Sequence, residues 1–467
     1  MAIERLSAED RLMLWPDEVW PQDIGALAVL DGGALLDQDG RVRIERVRDV
    51  VGGRLHLAPR LRQVLWVPPS RLGGPLWVDD PAFDLIDHIG VLPLPASGGE
   101  PELLRATERL RRRRLDRSRP LWEIWFLPGL PGRRVGMFVR AHHAVADGMA
   151  GVATLGAFLD ATPEAALPRP QPWTPVQAPP DEALRADDRR RRRQERRRTL
   201  STVGHPVSTV RRIAAGWPAV RELIAEESLP ATSLSRAVAA RRTLALVRSG
   251  VEPIKAVART NHAKVNDVLL TATAGGLRAL LQSRGEAVGG AVLRVYVPIS
   301  LRHGQYAGAR GNQVAQMVVP LPIGVPDPVE RLRQIAAETA RRKARSHPSL
   351  GKLPTRGIAG RAMLKLIDRQ RVNVTTADLP GPEVPLYLAG ARVLEVFPVL
   401  PLIGKVSIGV GALSYAGQFN VTAICDGDAY PDIDVFAAGV RDELRALDRD
   451  RPVAADPFDV LGHAVGR

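Results

Sequence analysis

The sequence predicts a mixed, layered α/β (or α+β) protein built in two halves. Three observations lead there. Segments with apolar residues at helical spacing alternate with short β-branched and aromatic runs. The chain has 467 residues and 45% hydrophobic content, enough for two or three cores. The alternation breaks at residues 162–228, where proline and then arginine dominate. The expected division is a first domain at 1–161, a linker at 162–228 and a second domain at 229–467.

The elements follow in order. Leu103, Leu104, Ala106 and Leu110 share one helical face over residues 102–115, and Pro120 ends that helix. Residues 122–127 and 135–141 read as strands around the turn 128–132, Pro-Gly-Leu-Pro-Gly. A helix of small residues is expected over 149–159. Pro163, Pro168, Pro170, Pro172, Pro175, Pro179 and Pro180 mark a mobile linker, and its arginine run is expected to be helical in part. In the second half, Asn266 stands before Leu269, Leu270, Thr273, Leu277 and Leu280, the pattern of a helix capped by asparagine. Residues 291–297 read as a strand. Asp327-Pro328-Val329-Glu330 has the residues of a capping box with proline in the first turn. Residues 406–413 and 418–425 read as a hairpin, and 434–447 as the last helix.

Composition narrows the classes. A lone cysteine, Cys425, excludes an internal disulfide and fits a reducing compartment. The first residues carry charges where a signal peptide needs an apolar run, and no stretch nears the roughly 18 apolar residues of a membrane span. A cytoplasmic protein, at most peripheral to a membrane or lipid droplet, is expected. Net charge is +14. Residues 185–198 hold nine arginines against Asp187, Asp188 and Glu195, a local excess of +6. Such a surface favours anionic partners, with a membrane or lipid-droplet surface as the expected partner of residues 189–198. No zinc-ligand spacing or aromatic RNA-binding pattern accompanies the charge, so no nucleic-acid partner is expected.

The residues richest in chemistry are 142–148, His-His-Ala-Val-Ala-Asp-Gly. A histidine at a strand end ionises near neutrality and suits general-base work. Asp147 can brace the loop and Gly148 permits a tight turn. The plainer reading is a buried histidine pair at a turn. A metal site of His142, His143 and Asp147 is disfavoured, because adjacent side chains on a strand diverge. No metal is expected.

The pattern HHxxxDG resembles the signature of CoA-dependent acyltransferases of the chloramphenicol acetyltransferase type. The flanks narrow the resemblance. LDRSRPLWE at 115–123, PLWVDDPAFDLIDH at 75–88, VNDVLL at 265–270, VPISLR at 297–302, DLPGP at 378–382, LSYAG at 413–417 and YPD at 430–432 are similar to the bacterial wax ester synthase/diacylglycerol acyltransferase family. The likeness spans nearly the whole chain. It implies two chloramphenicol-acetyltransferase-like domains around an interdomain tunnel. It also implies transfer of an acyl group from acyl-CoA, as substrate and without a cofactor, to diacylglycerol or a long-chain alcohol. By the same resemblance His143 is the general base, with His142, Asp147 and Gly148 supporting the motif. Arg302 is the expected ion-pair partner of Asp147. Asn266 is the expected polar group for the tetrahedral intermediate, beside its reading as a helix cap. Asp378 stands where the family commonly has asparagine, so a carboxylate there bears on acceptor preference if the position lines the site. Two alternatives remain at this point: a condensation or polyketide-associated acyltransferase with a carrier-protein donor, and an inactive membrane- or lipid-droplet-binding protein.

Overall fold

A computed structural model describes residues 3–6, 14, 21–69, 74–95, 98–145, 151, 155–203, 232–234, 238–239, 241–300, 314–344, 372, 374–402 and 404–448. Its frame is two six-stranded sheets.

The first sheet uses strands β1 (Asp23–Asp31), β4 (Ile89–Val91), β5 (Trp122–Leu130) and β6 (Arg134–His142), and two from late in the chain, β11 (Tyr387–Leu388) and β12 (Ala391–Val399), in the order β11-β12-β1-β6-β5-β4. A short hairpin of β2 (Gln63–Trp66) and β3 (Leu76–Asp79) stands apart. The sheet is covered on both faces because its alternating positions are apolar on each. On one face Ala28, Leu30, Ile124, Phe126 and Met137 pack with Val47, Val50 and Val51 of helix α1 (Ile44–Arg54). On the other, Leu27, Val29, Leu127 and Phe138 meet Leu103, Ala106 and Leu110 of α2 (Glu100–Arg112).

The second sheet orders β7 (Arg242–Gly250), β14 (Gln418–Asp426), β13 (Ile408–Tyr415), β10 (Val374–Leu379), β8 (Leu293–Ser300) and β9 (Val314–Leu321). Helices α4 (Val251–Thr260), α5 (Val265–Ser283), α6 (Pro328–Lys343) and α7 (Ile433–Leu447) pack on one of its faces in a single apolar cluster. Gly276 is needed where α5 crosses α7, since a Cβ there would lie 2.8 Å from the Phe436 carbonyl oxygen. Leu244, Leu246 and Ile424, from the opposite face, join Phe397 and Val399 of β12 and the α2 leucines, so the two sheets share one core. Each half is a sheet with its own helices, as expected for a two-domain layered fold.

Three expectations change. The segment 229–467 does not close on itself: β12 pairs antiparallel with β1 from Gly25↔Val399 to Leu30↔Val393, so the second half donates a strand to the first sheet. The segment expected to be a mobile linker is pinned in its described part. The Val176 N–H donates to Asp79 at 3.0 Å, the Arg62 guanidinium lies 4.8 Å over the Trp173 ring, and Pro168 packs against Gly53. The arginine run lies in one helix, α3 (Asp181–Val203), held down by buried Leu184 and by an Arg5–Asp187 ion pair at 2.7 Å. Lastly, Asn266 is not the cap of α5. It is the second helical residue, and Asp267 accepts from the Lys264 N–H at 2.9 Å to close the end. The Asp327 cap of α6 and the hairpin of β13 and β14 form as expected. Of the helix expected over 149–159, Gly151, Leu155 and Gly156 are helical and most of the rest lies outside the described residues.

Candidate active site

The histidine pair ends β6, a central strand. Backbone bonds hold it on both sides: His142 N–H donates to Leu121 O at 2.9 Å and His143 N–H to Gln22 O at 2.8 Å. The strand end is charged as well as bonded. Arg140, 1% exposed, bonds Asp23 on β1 at 3.0 Å and Glu123 on β5 at 2.9 Å, and also the Arg113 carbonyl at 2.5 Å. A buried guanidinium tolerates this only with its donors satisfied. Arg140 was missed from sequence; its signal is a lone cation inside the apolar run 135–141.

The two histidines differ. His142 is 2% exposed, and its Nδ1 accepts from the Ala144 N–H at 3.0 Å. Its ring thus braces the turn that follows, which Val145 N–H to His142 O closes at 2.8 Å. His143, one residue on, has left the strand and is only half-buried. A rigid neighbour beneath a more accessible imidazole suits a base that must meet a substrate. Asp147, Gly148 and Arg302 lie outside the described residues.

The second half brings two polar groups to one corner. Asn266 lies in the first turn of α5, and its buried Nδ2 has no hydrogen-bond partner among the described residues. Asp378 is near the end of β10. That strand pairs with β13 through Leu379↔Leu413 but with β8 only at Val374↔Val295 and Thr375↔Tyr296. The sheet therefore opens beside Asp378, on the face where Val374 meets the helices. Burial raises the Asp378 carboxyl to about 6, against the opposing charge of Lys343 on α6. One turn earlier on α6, Thr339 donates to Asp267 at 2.7 Å, which ties Lys343 to the start of α5. Asn266 Nδ2, without a hydrogen-bond partner among the described residues, and the raised Asp378 carboxyl are thus both linked to α6, the first through Asp267 and Thr339 and the second through Lys343.

Two tryptophans of the family-like motifs and the lone cysteine are structural. Trp122 is buried and donates to Leu61 O at 2.8 Å. Trp77 is buried. Cys425 is buried in the core with Val421 and Ala423, donates to Tyr430 O at 3.6 Å, and burial pushes its thiol up. Such a thiol is a poor nucleophile.

Comparison with known proteins agrees with this layout. Residues 6–269 match the model of the wax ester synthase/diacylglycerol acyltransferase catalytic domain, and residues 310–448 that of the matching C-terminal domain. The chain is 31% identical to a probable diacylglycerol O-acyltransferase of Mycobacterium tuberculosis, over 91% of this chain and 90% of that one. It is 29% identical to a second, putative diacylglycerol O-acyltransferase of the same species, over 96% and 90%. Among solved structures, the wax ester synthase/diacylglycerol acyltransferase of Marinobacter aquaeolei superposes with a TM-score of 0.67 at 22% identity, covering 96% of this chain and 99% of that one. The starter condensation domain of rhizomide synthetase follows at 0.60 and 16%, covering 96% and 94%. Both are likenesses of fold.

Proposed function

The chain belongs to the wax ester synthase/diacylglycerol acyltransferase family, and from that premise we propose that it moves a long-chain acyl group from acyl-CoA to a lipid hydroxyl. Diacylglycerol would give triacylglycerol, and a fatty alcohol would give a wax ester. The observation that carries the residue-level reading is the contrast at the end of β6: a ring-bonded, buried His142 supports a more accessible His143.

In this reading His143 takes the proton of the acceptor hydroxyl as its oxygen attacks the thioester carbonyl. The tetrahedral intermediate collapses, the C–S bond breaks, and the CoA thiolate leaves with the proton from His143. No acyl-enzyme forms, and acyl-CoA is a substrate, so no cofactor is needed. Asn266 Nδ2 is the proposed donor to the developing oxyanion. Asp378 lines the acceptor side, and Asp147, Gly148 and Arg302 shape the loop after the histidines. The two substrates meet between the halves, in the interdomain tunnel.

Helix α3 is the proposed contact with an anionic membrane or lipid-droplet surface. Its Asp187 turns inward to Arg5 while Arg189, Arg190, Arg192, Arg193, Arg196 and Arg197 are exposed. Among the described residues no helix is long and apolar enough to cross a membrane. Replacing arginines 189–193 with glutamine should weaken binding to anionic vesicles and flatten its salt dependence; unchanged binding would refute the contact.

The function is tested by CoA-thiol release from palmitoyl-CoA with a diacylglycerol, with hexadecanol and with no acceptor. Acceptor-dependent release is expected. Release only from an acyl-carrier-protein thioester would point to the condensation-type donor instead.

A further inference from the structure

A polar cavity of about 220 Å³ lies near the histidine pair, lined by Asp80, Asp84, Asp87, His88, Ser118 and Arg119 among others. It sits at the same end of the first sheet. Trp122 pairs with Ala141, and Ile124 N–H donates to His88 O at 2.7 Å. His88 lies level with Glu123 on β5 and so with Arg140 on β6, two residues before His142; two strand spacings and two residues along the strand put it about 12 Å from the His142 backbone.

His88 makes this more than an acidic hollow. The side chain is buried, with the residue 4% exposed. Both ring faces are covered, by Trp122 at 4.5 Å and 13° and by Phe83 at 5.2 Å and 23°. Its Nδ1 lies 2.9 Å from the Trp122 carbonyl, which can only accept, so Nδ1 carries the hydrogen. Burial holds the imidazole below its ordinary 6.5, so the ring is neutral near pH 7 and Nε2 is a bare lone pair. With two faces and one edge occupied, the edge bearing Nε2 is what remains to line the cavity. Among the described residues Nε2 has no hydrogen-bond partner.

The other walls also accept. Asp80 and Asp84 each use one oxygen on a backbone N–H, of Ala82 and Ile86, both at 2.9 Å, which leaves the second oxygen of each. Ser118 gives its hydroxyl hydrogen to Asp116 at 2.7 Å, and Arg119, the cation of the lining, is ion-paired with Asp87, so carboxylates outnumber it. Such a lining repels CoA phosphates and binds a group that brings its own donors.

The geometry points to a subsite for the acceptor: the cavity holds a hydroxyl-bearing head group several bonds from the hydroxyl that is acylated, so polyol lipids are favoured over simple long-chain alcohols. This rests on the acyltransferase reading above. Two hydroxyls of the head group, one donating to Asp84 and one to His88 Nε2, make a charge-assisted and a neutral hydrogen bond. Either is enough for a selectivity of about tenfold.

Two measurements separate this proposal from the reading beneath it. The first is the ratio of kcat/KM for diglycerol monopalmitate to that for hexadecanol, with palmitoyl-CoA as donor. A ratio of about ten or more is expected in wild type, falling toward one in Asp84→Asn and in His88→Gln. Asp84→Asn keeps the oxygen that accepts from Ile86, so it is the variant that tests selectivity if loss of the stacked His88 disturbs folding. The second is an NMR titration of the His88 imidazole with diglycerol, which needs no acyl transfer. A shift of that signal, absent in Asp84→Asn, supports the subsite even if palmitoyl-CoA proves to be the wrong donor. Equal wild-type ratios, a ratio untouched by either variant, or a signal that answers to ethylammonium but not to diglycerol would overturn it.

Discussion

The end of β6 and the corner at the start of α5 are built on opposite principles. Around the histidines, named pairs hold the strand end: Arg140 with Asp23 and Glu123, His142 Nδ1 with Ala144 N–H, the His143 backbone with Gln22. At the corner, Asn266 Nδ2 is buried without a hydrogen-bond partner among the described residues, and burial raises the Asp378 carboxyl despite the charge of Lys343. Polar groups left unmatched in a folded protein cost stability and are kept where they meet something else. In the proposed reading the first region is a fixed platform for chemistry, and the second is a receptor whose partners arrive with substrate.

The comparison breaks most visibly at Arg140. Arg140→Met leaves Asp23 and Glu123 buried against an apolar side chain and should cost about 3–5 kcal/mol of stability. A loss near zero by denaturant titration would mean that the platform is not held this way.

Asp378 should respond in the opposite direction. Its carboxyl is raised to about 6 from 3.8, so the folded state favours the protonated form. That penalty is absent below the unfolded value and grows as pH rises through about 6, where ionisation costs on the order of 3 kcal/mol. Asp378→Asn should therefore raise Tm at pH 8 and leave it little changed at pH 4. A lower Tm at pH 8 would show a carboxylate that is stabilised instead.

Asn266 sharpens the contrast through function. Because Nδ2 has no hydrogen-bond partner among the described residues, Asn266→Ala should change stability by less than about 1 kcal/mol while lowering kcat by about a hundredfold. A stability loss without a kcat effect would return Asn266 to a structural role. The smallest effect is expected at Cys425. Cys425→Ala should leave the transfer rate unchanged, since a buried thiol pushed up by its surroundings takes no acyl group.

The sequence revealed the fixed region more readily than the receptive one. Alternating apolar residues located β5 and β6, and HHxxxDG marked the strand end proposed to carry the chemistry, because strand period and motif are both local. The β1–β12 pairing was not legible, since it joins residues some 370 positions apart with no local trace. The linker also misled. Its prolines do break regular structure, yet Trp173, Val176 and Leu184 give it enough contacts to lie on the first half. At α5, asparagine suggested a cap, but Asp267 one residue later forms the reciprocal bond and shifts the helix start to Lys264. Arg140 and His88 escaped because their meaning depends on partners from other strands.

The most direct test of the central claim is CoA release from palmitoyl-CoA with saturating acceptor, measured for wild type, His143→Ala and His142→Ala alongside their Tm. His143→Ala is expected to lose about a thousandfold in kcat at unchanged Tm, whereas His142→Ala loses its turn and lowers Tm. A His143→Ala protein that still turns over at the wild-type rate would place the base elsewhere and contradict that claim.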